Sequence, residues 1–347
     1  MLAVRKLGPH PGISLDIVSE PSDLNPDEVL IEVAAAGICG SDVHVYEWTE
    51  GYEFMRSRLP ITLGHEFSGH IVKTGSHVTG LAEGDLVSAM PTSSCMRCAQ
   101  CAGGEPHLCL HRRTVGLTQD GAFSRLVKVP SISCVPFAHD VDPVLAALIE
   151  PLSVGDNATN LGEVAAGDTV VVLGPGTIGQ AAAWSARWKG AACVIVVGMN
   201  DSIRLRTVEA MGATHTIDLA ETSSFKERVL TINGGRPVDV VIEATGRGSS
   251  VTDGLSVLKR GGIFVSAGIH GAPVTFDLTS LVRNKQQIRG AHGSQRRSWE
   301  RIARRIAQNP ESVRPMVSLE LPLSDAKDGF ERCLAREVSK VILRPSS

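Results

Sequence analysis

The pattern of apolar and polar positions changes character near the middle of the chain. In the first 150 residues the apolar positions form short, loosely alternating runs at Glu28–Val33, Phe67–Val72, Asp85–Met90 and Ala122–Val129, broken by Gly, Pro and Asp. Such runs predict short strands and turns, the texture of a compact, irregular β-barrel. From Asp168 onward, β-branched runs alternate with helical ones. Strands are predicted over Asp168–Leu173, Cys193–Val197, Thr214–Asp218, Val238–Ala244 and Gly262–Ala267, and helices over Ile178–Lys189, Ser202–Met211, Ser224–Ile232 and Ser249–Leu258. That rhythm predicts a doubly wound parallel sheet. Beyond about Pro310 the chain returns to Pro-broken strands, Met316–Leu321 and Lys340–Leu343, so the tail is expected to rejoin the first domain. The fold class is therefore α/β plus β, divided as 1–155, 156–292 and 293–347.

Length agrees with this division, since 347 residues exceed what one hydrophobic core usually supports. A net charge of −3, with no long block of like charge, argues against nucleic acid or an anionic membrane as partner. The richest basic stretch, Arg296, Arg297, Arg301, Arg304 and Arg305, is interrupted by Trp299 and Ile302 and reads as the solvated face of a helix. No run approaches the ~18 apolar residues of a membrane span. The expected location is the cytoplasm.

Four of the eight cysteines, Cys95, Cys98, Cys101 and Cys109, lie within fifteen residues at C-x2-C-x2-C-x7-C spacing. Short turns between the first three let four thiolates converge on one zinc at about 2.3 Å. Disulfides are not expected in a chain without a secretory signal. The loop 95–109 is accordingly read as a structural zinc site. A nucleic-acid-binding zinc ribbon would need a basic face beside it, and only Arg97, Arg112 and Arg113 are local.

The strand Asp168–Leu173 runs into Gly174-Pro175-Gly176-Thr177-Ile178-Gly179 and then a helix. This context makes GxGxxG a dinucleotide-binding signal: Gly174 for the turn, Gly176 for backbone approach to a pyrophosphate, Gly179 for helix–strand packing. The acid expected at the end of the next strand, which would hold the adenosine ribose 2′-OH, is replaced by Gly198. Asp201 close by either caps the helix starting near Ser202 or takes over the ribose, and Arg204 is the nearest positive charge. The glycine tolerates NADP; the reading leans to NAD.

Further candidate chemistry precedes this domain. Cys39 lies in Gly37-Ile38-Cys39-Gly40-Ser41-Asp42-Val43-His44, His65 and Glu66 in Gly64-His65-Glu66, and Glu150 in Glu150-Pro151-Leu152-Ser153-Val154-Gly155. Cys, His and Glu are competent donors for a catalytic zinc, which takes three protein ligands and keeps an exchangeable position.

With these motifs and the four-cysteine loop, the chain resembles the zinc-dependent medium-chain alcohol dehydrogenase family over essentially its whole length, in the branch of sorbitol-type and L-threonine 3-dehydrogenases. The resemblance implies a GroES-like β-barrel catalytic domain with a Rossmann domain. It implies that Cys39, His65 and Glu66 bind the catalytic zinc, with Glu150 as an occasional fourth ligand or a carboxylate beside it, giving two zinc ions per chain. Ser41 and His44 match the family's proton relay. Gly174, Gly176, Thr177, Ile178, Gly179, Gly198, Asp201, Arg204, Thr245, Gly268, Ile269 and His292 fall where the family contacts its nicotinamide cofactor. The implied activity is hydride transfer between NAD(P) and a secondary alcohol (a polyol, sugar acid or hydroxy amino acid such as L-threonine), in a homodimer or homotetramer. The competing reading is a non-catalytic NAD(P)- or zinc-binding regulator on the same fold. Departures from the family pattern at Asp156-Asn157 and at Arg289–Ser294 are expected to border the substrate.

Overall fold

A computed structural model of the chain describes residues 1–138 and 140–345. It divides into two compact units. One comprises Met1–Glu150, Gln295–Pro310 and the residues from Val317 onward; the other comprises Pro151–Ser294 and Glu311–Met316.

In the first unit the longest strand, Glu28–Gly37, buries Val29, Ile31, Val33 and Ala35 on one face, the period-2 alternation that the sequence shows only weakly. It pairs antiparallel with Glu66–Thr74 on one side and Lys340–Arg344 on the other, and also with Leu126–Pro130. The seven-stranded sheet continues through Leu86–Ala89 to Cys134–Pro136, and through Lys340–Arg344 to Val317–Pro322. The C-terminal strand is thus the neighbour of the central one, with Ile342 opposite Gly37. Phe67, Phe123, Phe330, Val341 and Leu343 fill the core behind it. Helix Arg296–Gln308 buries Trp299, Ile302, Ala303 and Ile306, which leaves its arginines on the other side as the charge pattern predicts.

The second unit holds six parallel strands in the spatial order His215–Asp218, Cys193–Gly198, Thr169–Leu173, Val238–Glu243, Leu258–Ser266, Gln287–Gly290. Numbered by sequence this is 3-2-1-4-5-6, the dinucleotide-binding order. Val170 and Val172 belong to one apolar cluster and Val171 and Leu173 to another, so both faces of the sheet are covered and the strands read as continuous apolar runs. The sixth strand was not expected. Its Gln287, Arg289 and Gly290 and its mostly exposed edge position give it no apolar pattern. Residues Glu311–Met316 pack here because Ser312 accepts a hydrogen bond from the Trp184 indole at 3.1 Å.

Candidate active site

Three elements of the first unit converge. Cys39 stands at the N-terminus of helix Gly40–Glu47, where its amide donates to Asp42 Oδ2 at 3.0 Å. That bond satisfies one of the orphan donors of a helix start and fixes Asp42 next to the thiol. His65 and Glu66 open the strand Glu66–Thr74. Register places Glu66 opposite Gly37, where a Cβ would lie 2.5 Å from Glu66 Oε2, so only glycine leaves the carboxylate room. Donor atoms of Cys39, His65 and Glu66 all lie within 4.8 Å of one another.

Charge explains how the cluster is held. Glu66 and Lys340 are both fully buried, and Lys340 Nζ donates to Glu66 Oε2 at 2.6 Å and to Ile38 O at 2.9 Å. The Nδ1 of His65 faces Asp42 Oδ1 at 3.5 Å, and its Nε2 lies 3.3 Å from Ser41 Oγ. Burial works against a charged His65, but Asp42 and Cys39 outweigh it and hold the imidazole well above its ordinary pKa. Burial and Glu66 raise the Cys39 thiol, with His65 and Lys340 opposing. Glu150 is pushed up to about 7, chiefly by burial; it feels His65, Glu66, Lys340 and Asp42, but it stands outside the tight three-residue group.

The site contains the groups zinc requires. Thiol, imidazole and carboxylate are a competent donor set. Glu66 Oε1 is buried without a hydrogen-bond partner among the described residues, while His65 Nδ1 and Asp42 Oδ1 face only each other. A cation among the donors would favour the charged forms that burial, with Glu66 adding, disfavours at Cys39 and Glu150. The four-cysteine loop fits zinc equally well. Its sulfurs lie 3.5 Å (Cys98–Cys101), 3.5 Å (Cys95–Cys109) and 3.8 Å (Cys98–Cys109) apart. A tetrahedron with spokes of about 2.3 Å has edges of about 3.8 Å. None of the eight cysteines is in a disulfide.

Around this centre Ser41 and His44 sit three residues apart on helix Gly40–Glu47, hence on one face. His44 is exposed; its Nδ1 lies 3.2 Å from Thr49 Oγ1, and its ring stacks on Tyr52 with centroids 6.1 Å apart. The Tyr52 phenol is pushed up to about 12 by burial, with Cys39 and Asp42 adding.

In the second unit every cofactor position expected from sequence lies at or just beyond the C-terminal end of a parallel strand: Gly174–Gly179 after Leu173, Gly198 at the end of Cys193–Gly198 with Asp201 and Arg204 beyond it, Thr245 after Glu243, Gly268 and Ile269 after Ser266, His292 after Gly290. That edge is where open α/β sheets bind ligands. A Cβ on Gly179 would run into Gly174 O, so the glycine is what allows the helix to start against the turn. Gly176 is the N-cap residue of the helix Thr177–Trp188.

Comparison with known proteins agrees with this geometry. The family model "Alcohol dehydrogenase GroES-like domain" matches residues 25–139, and "Zinc-binding dehydrogenase" matches residues 177–308. An L-threonine 3-dehydrogenase of Bacillus velezensis is 34% identical over 336 residues, 96% of each chain. A sorbitol dehydrogenase of Halalkalibacterium halodurans is 32% identical over 320 residues, 92% of each. The chain belongs to the zinc-dependent medium-chain alcohol dehydrogenase family. Among solved structures, a putative zinc-binding dehydrogenase from Sinorhizobium meliloti bound to NADP superimposes with a TM-score of 0.88 at 30% identity, covering 99% of both chains. The protein is thus a zinc-dependent, NAD(P)-linked alcohol oxidoreductase, and nothing in these relatives supports the regulatory alternative. No helix among the described residues is long and apolar enough to cross a membrane.

Several residues singled out in the sequence have partners inside the second unit. Asp201 is the N-cap residue of helix Ser202–Ala210 but makes no capping bond through its side chain. It is 5% exposed and its carboxylate grips Arg204, whose Nε donates to Oδ1 at 2.9 Å and whose Nη2 donates to Oδ2. Asp156 and Arg289, expected at the substrate, are used within the second unit. Asp156 is fully buried 3.4 Å from Lys189, and Arg289 donates to Leu161 O and Glu163 Oε1, each at 2.7 Å. Asn157 donates to Gly293 O at 3.0 Å, tying two of the unusual segments together.

Asp42, Lys340 and Tyr52 were not assigned roles from sequence. Asp42 has a local signal, its capping-box spacing from Cys39. Lys340 has a weaker one: a lone cation before the apolar run Val341–Leu343, inside a strand predicted to be buried, needs a partner.

Proposed function

We propose that the enzyme oxidises a secondary alcohol of the polyol, sugar-acid or hydroxy-amino-acid class, with Cys39, His65 and Glu66 holding a catalytic zinc and the four-cysteine loop a second, structural one. The observation that carries this reading is the donor group of half-buried Cys39 with buried His65 and Glu66, beside Ser41. Zinc bound there supplies a Lewis acid that lowers the pKa of a substrate hydroxyl. A nicotinamide dinucleotide held at the Gly174–Gly179 turn would supply the hydride acceptor.

The chain's own residues handle the proton and the positioning. Ser41 Oγ, 3.3 Å from His65 Nε2, is placed to receive the hydroxyl proton beside the ligand group. His44, on the same helix face and open to water, passes it to solvent. Thr49 and Tyr52 fix the imidazole, so that Nδ1 is engaged and Nε2 remains for the proton. Asp42 orients His65 as carboxylates do behind metal-bound histidines. Glu150 adds a carboxylate whose charge the site disfavours unless a cation is present.

We further infer a homo-oligomer. The sheet ends in the exposed strand Gln287–Gly290, and Leu278 and Val282 on the preceding helix are 62% and 65% exposed, features that a second copy would cover. Light scattering reads that state directly.

The test of the catalytic reading is a panel of polyols, aldonic acids and L-threonine, each with NAD and with NADP, using wild type and His44→Ala. Wild type should turn over at least one secondary alcohol. His44→Ala should lower kcat by about 10- to 100-fold and shift the pH–rate profile, because relays of this kind contribute on the order of 10²–10⁴. Zinc-loaded protein that binds nucleotide but oxidises none of these alcohols would contradict the proposal.

A further inference from the structure

Glu243 ends the strand Val238–Glu243 and is fully buried. Its carboxylate Oε1 accepts from Thr245 N at 2.6 Å, from Gly246 N at 2.9 Å and from Thr245 Oγ1. Its backbone carbonyl accepts from Ala267 N at 2.8 Å and Gly268 N at 3.0 Å. One residue therefore holds both the loop that follows its own strand and the loop that follows the neighbouring strand. The two loops touch backbone to backbone. A Cβ on Gly246 would run into Ile269 O, and a Cβ on Gly268 would run into Gly246 N and lie 2.6 Å from Glu243 Oε2.

The remaining oxygen, Oε2, makes no hydrogen bond among the described residues; the group that faces it is the imidazole of His270, with Nε2 at 3.2 Å, an ion pair when the ring is protonated. A carboxylate this deep costs several kcal/mol unless it is paired. Fold stability alone does not call for such a pair, since apolar residues of similar volume generally serve as well or better. Its location is informative. Thr245, Gly268 and Ile269 all lie on the two loops it joins, at the edge of the sheet where dinucleotides bind.

We propose that buried Glu243 and half-buried His270 form a clasp that sets the spacing of the 244–246 and 267–270 loops, and through it the affinity for the nicotinamide dinucleotide. Both are positioning residues. Neither is required to touch reacting atoms. The inference rests on the reading that these loops contact the cofactor.

The experiment uses zinc-loaded enzyme and fluorescence titration of NADH and NADPH, with steady-state kinetics and thermal unfolding alongside. His270→Leu removes the imidazole that faces Oε2 and should raise Kd and the cofactor KM by about tenfold or more, with a smaller change in kcat. His270→Gln keeps a neutral donor and should bring Kd back to within about threefold of wild type. Should His270→Leu fail to fold because Glu243 is left unpaired, Glu243→Gln/His270→Leu removes the stranded charge while keeping an acceptor for Thr245 and Gly246, and should show the same tenfold loss. The clasp is overturned if the foldable leucine variant binds nucleotide within about twofold of wild type, or if glutamine is as damaging as leucine. A wild type that binds neither nucleotide overturns the cofactor reading itself, a separate result.

Discussion

Replacing Lys340 with methionine tests how the metal site is held. The ammonium is fully buried and is the cation in hydrogen-bond contact with Glu66, which is also fully buried, at 2.6 Å. Methionine keeps much of the volume but strands the carboxylate, whose Oε1 is already without a hydrogen-bond partner. Removing one member of a buried pair costs about 3–5 kcal/mol, because the other charge stays desolvated. A zinc ion bound by Glu66 would supply the missing positive charge, so the loss should be largest in metal-free protein and smaller in zinc-loaded protein. The assay is denaturant unfolding of wild type and Lys340→Met, each with zinc and after chelation. Comparing the two proteins in the same state cancels the common effect of emptying the four-cysteine loop. Glu66→Gln in the Lys340→Met background should recover much of the metal-free loss. The reasoning fails if Lys340→Met matches wild type without metal, or if zinc leaves the difference between them unchanged.

Three further outcomes follow from the same geometry. Elemental analysis should find two zinc ions per chain; Cys101→Ser should lose one of them together with stability, since metal binding there is coupled to folding, whereas Cys39→Ser should lose turnover with the fold largely kept. In zinc-loaded protein, iodoacetamide at pH 7 should leave Cys134 unlabelled, because burial pushes its thiol up to about 12; rapid labelling there would contradict the assigned environment. Gly198→Asp should raise the NAD over NADP ratio of kcat/KM by at least about tenfold, or roughly 1.4 kcal/mol, at some cost in stability, since its Cβ would crowd Pro175 Cγ at 3.1 Å and Leu205 Cδ2 at 3.2 Å; an unchanged ratio would place cofactor choice elsewhere.

Much of this was legible in the sequence, and the exceptions share a cause. Nine predicted strands and helices of the nucleotide-binding unit appear within a few residues of their expected ends, from Thr169–Leu173 to Leu258–Ser266, because buried β-branched runs and amphipathic helices are local signals. The edge strand Gln287–Gly290 carries no such signal, since exposure removes the need for apolar residues. The candidate donors Cys39, His65 and Glu66 were legible as motifs, while the charges that support them were not. Lys340 meets Glu66 across 274 positions of sequence, through strand pairing on both sides of Gly37. Asp156 and Arg289 stood out as departures from the family pattern, and spacing gave no sign of the internal partners they have. Lys189 and Glu163 supply their partners.

The same distinction bears on cofactor choice. Two routes to NAD selectivity were open: an acid on the second strand, which Gly198 denies, or Asp201 moving into its place. The second now carries a penalty. Asp201 would have to release a bidentate guanidinium while 5% exposed, leaving Arg204 unpaired beside the glycine turn. Arg204 Nη1 lies only 3.8 Å from the position a Cβ on Gly176 would take, so its charge is held near the phosphate-binding turn but already neutralised by Asp201. With no free acid at the strand end to repel a 2′-phosphate and no free cation there to attract one, electrostatics should discriminate weakly between the two cofactors. Asp201→Ala breaks this balance in a known direction. It frees Arg204 and should move kcat/KM toward NADP, the opposite of the shift expected for Gly198→Asp, so the pair of variants reports the sign of the local field as well as its presence.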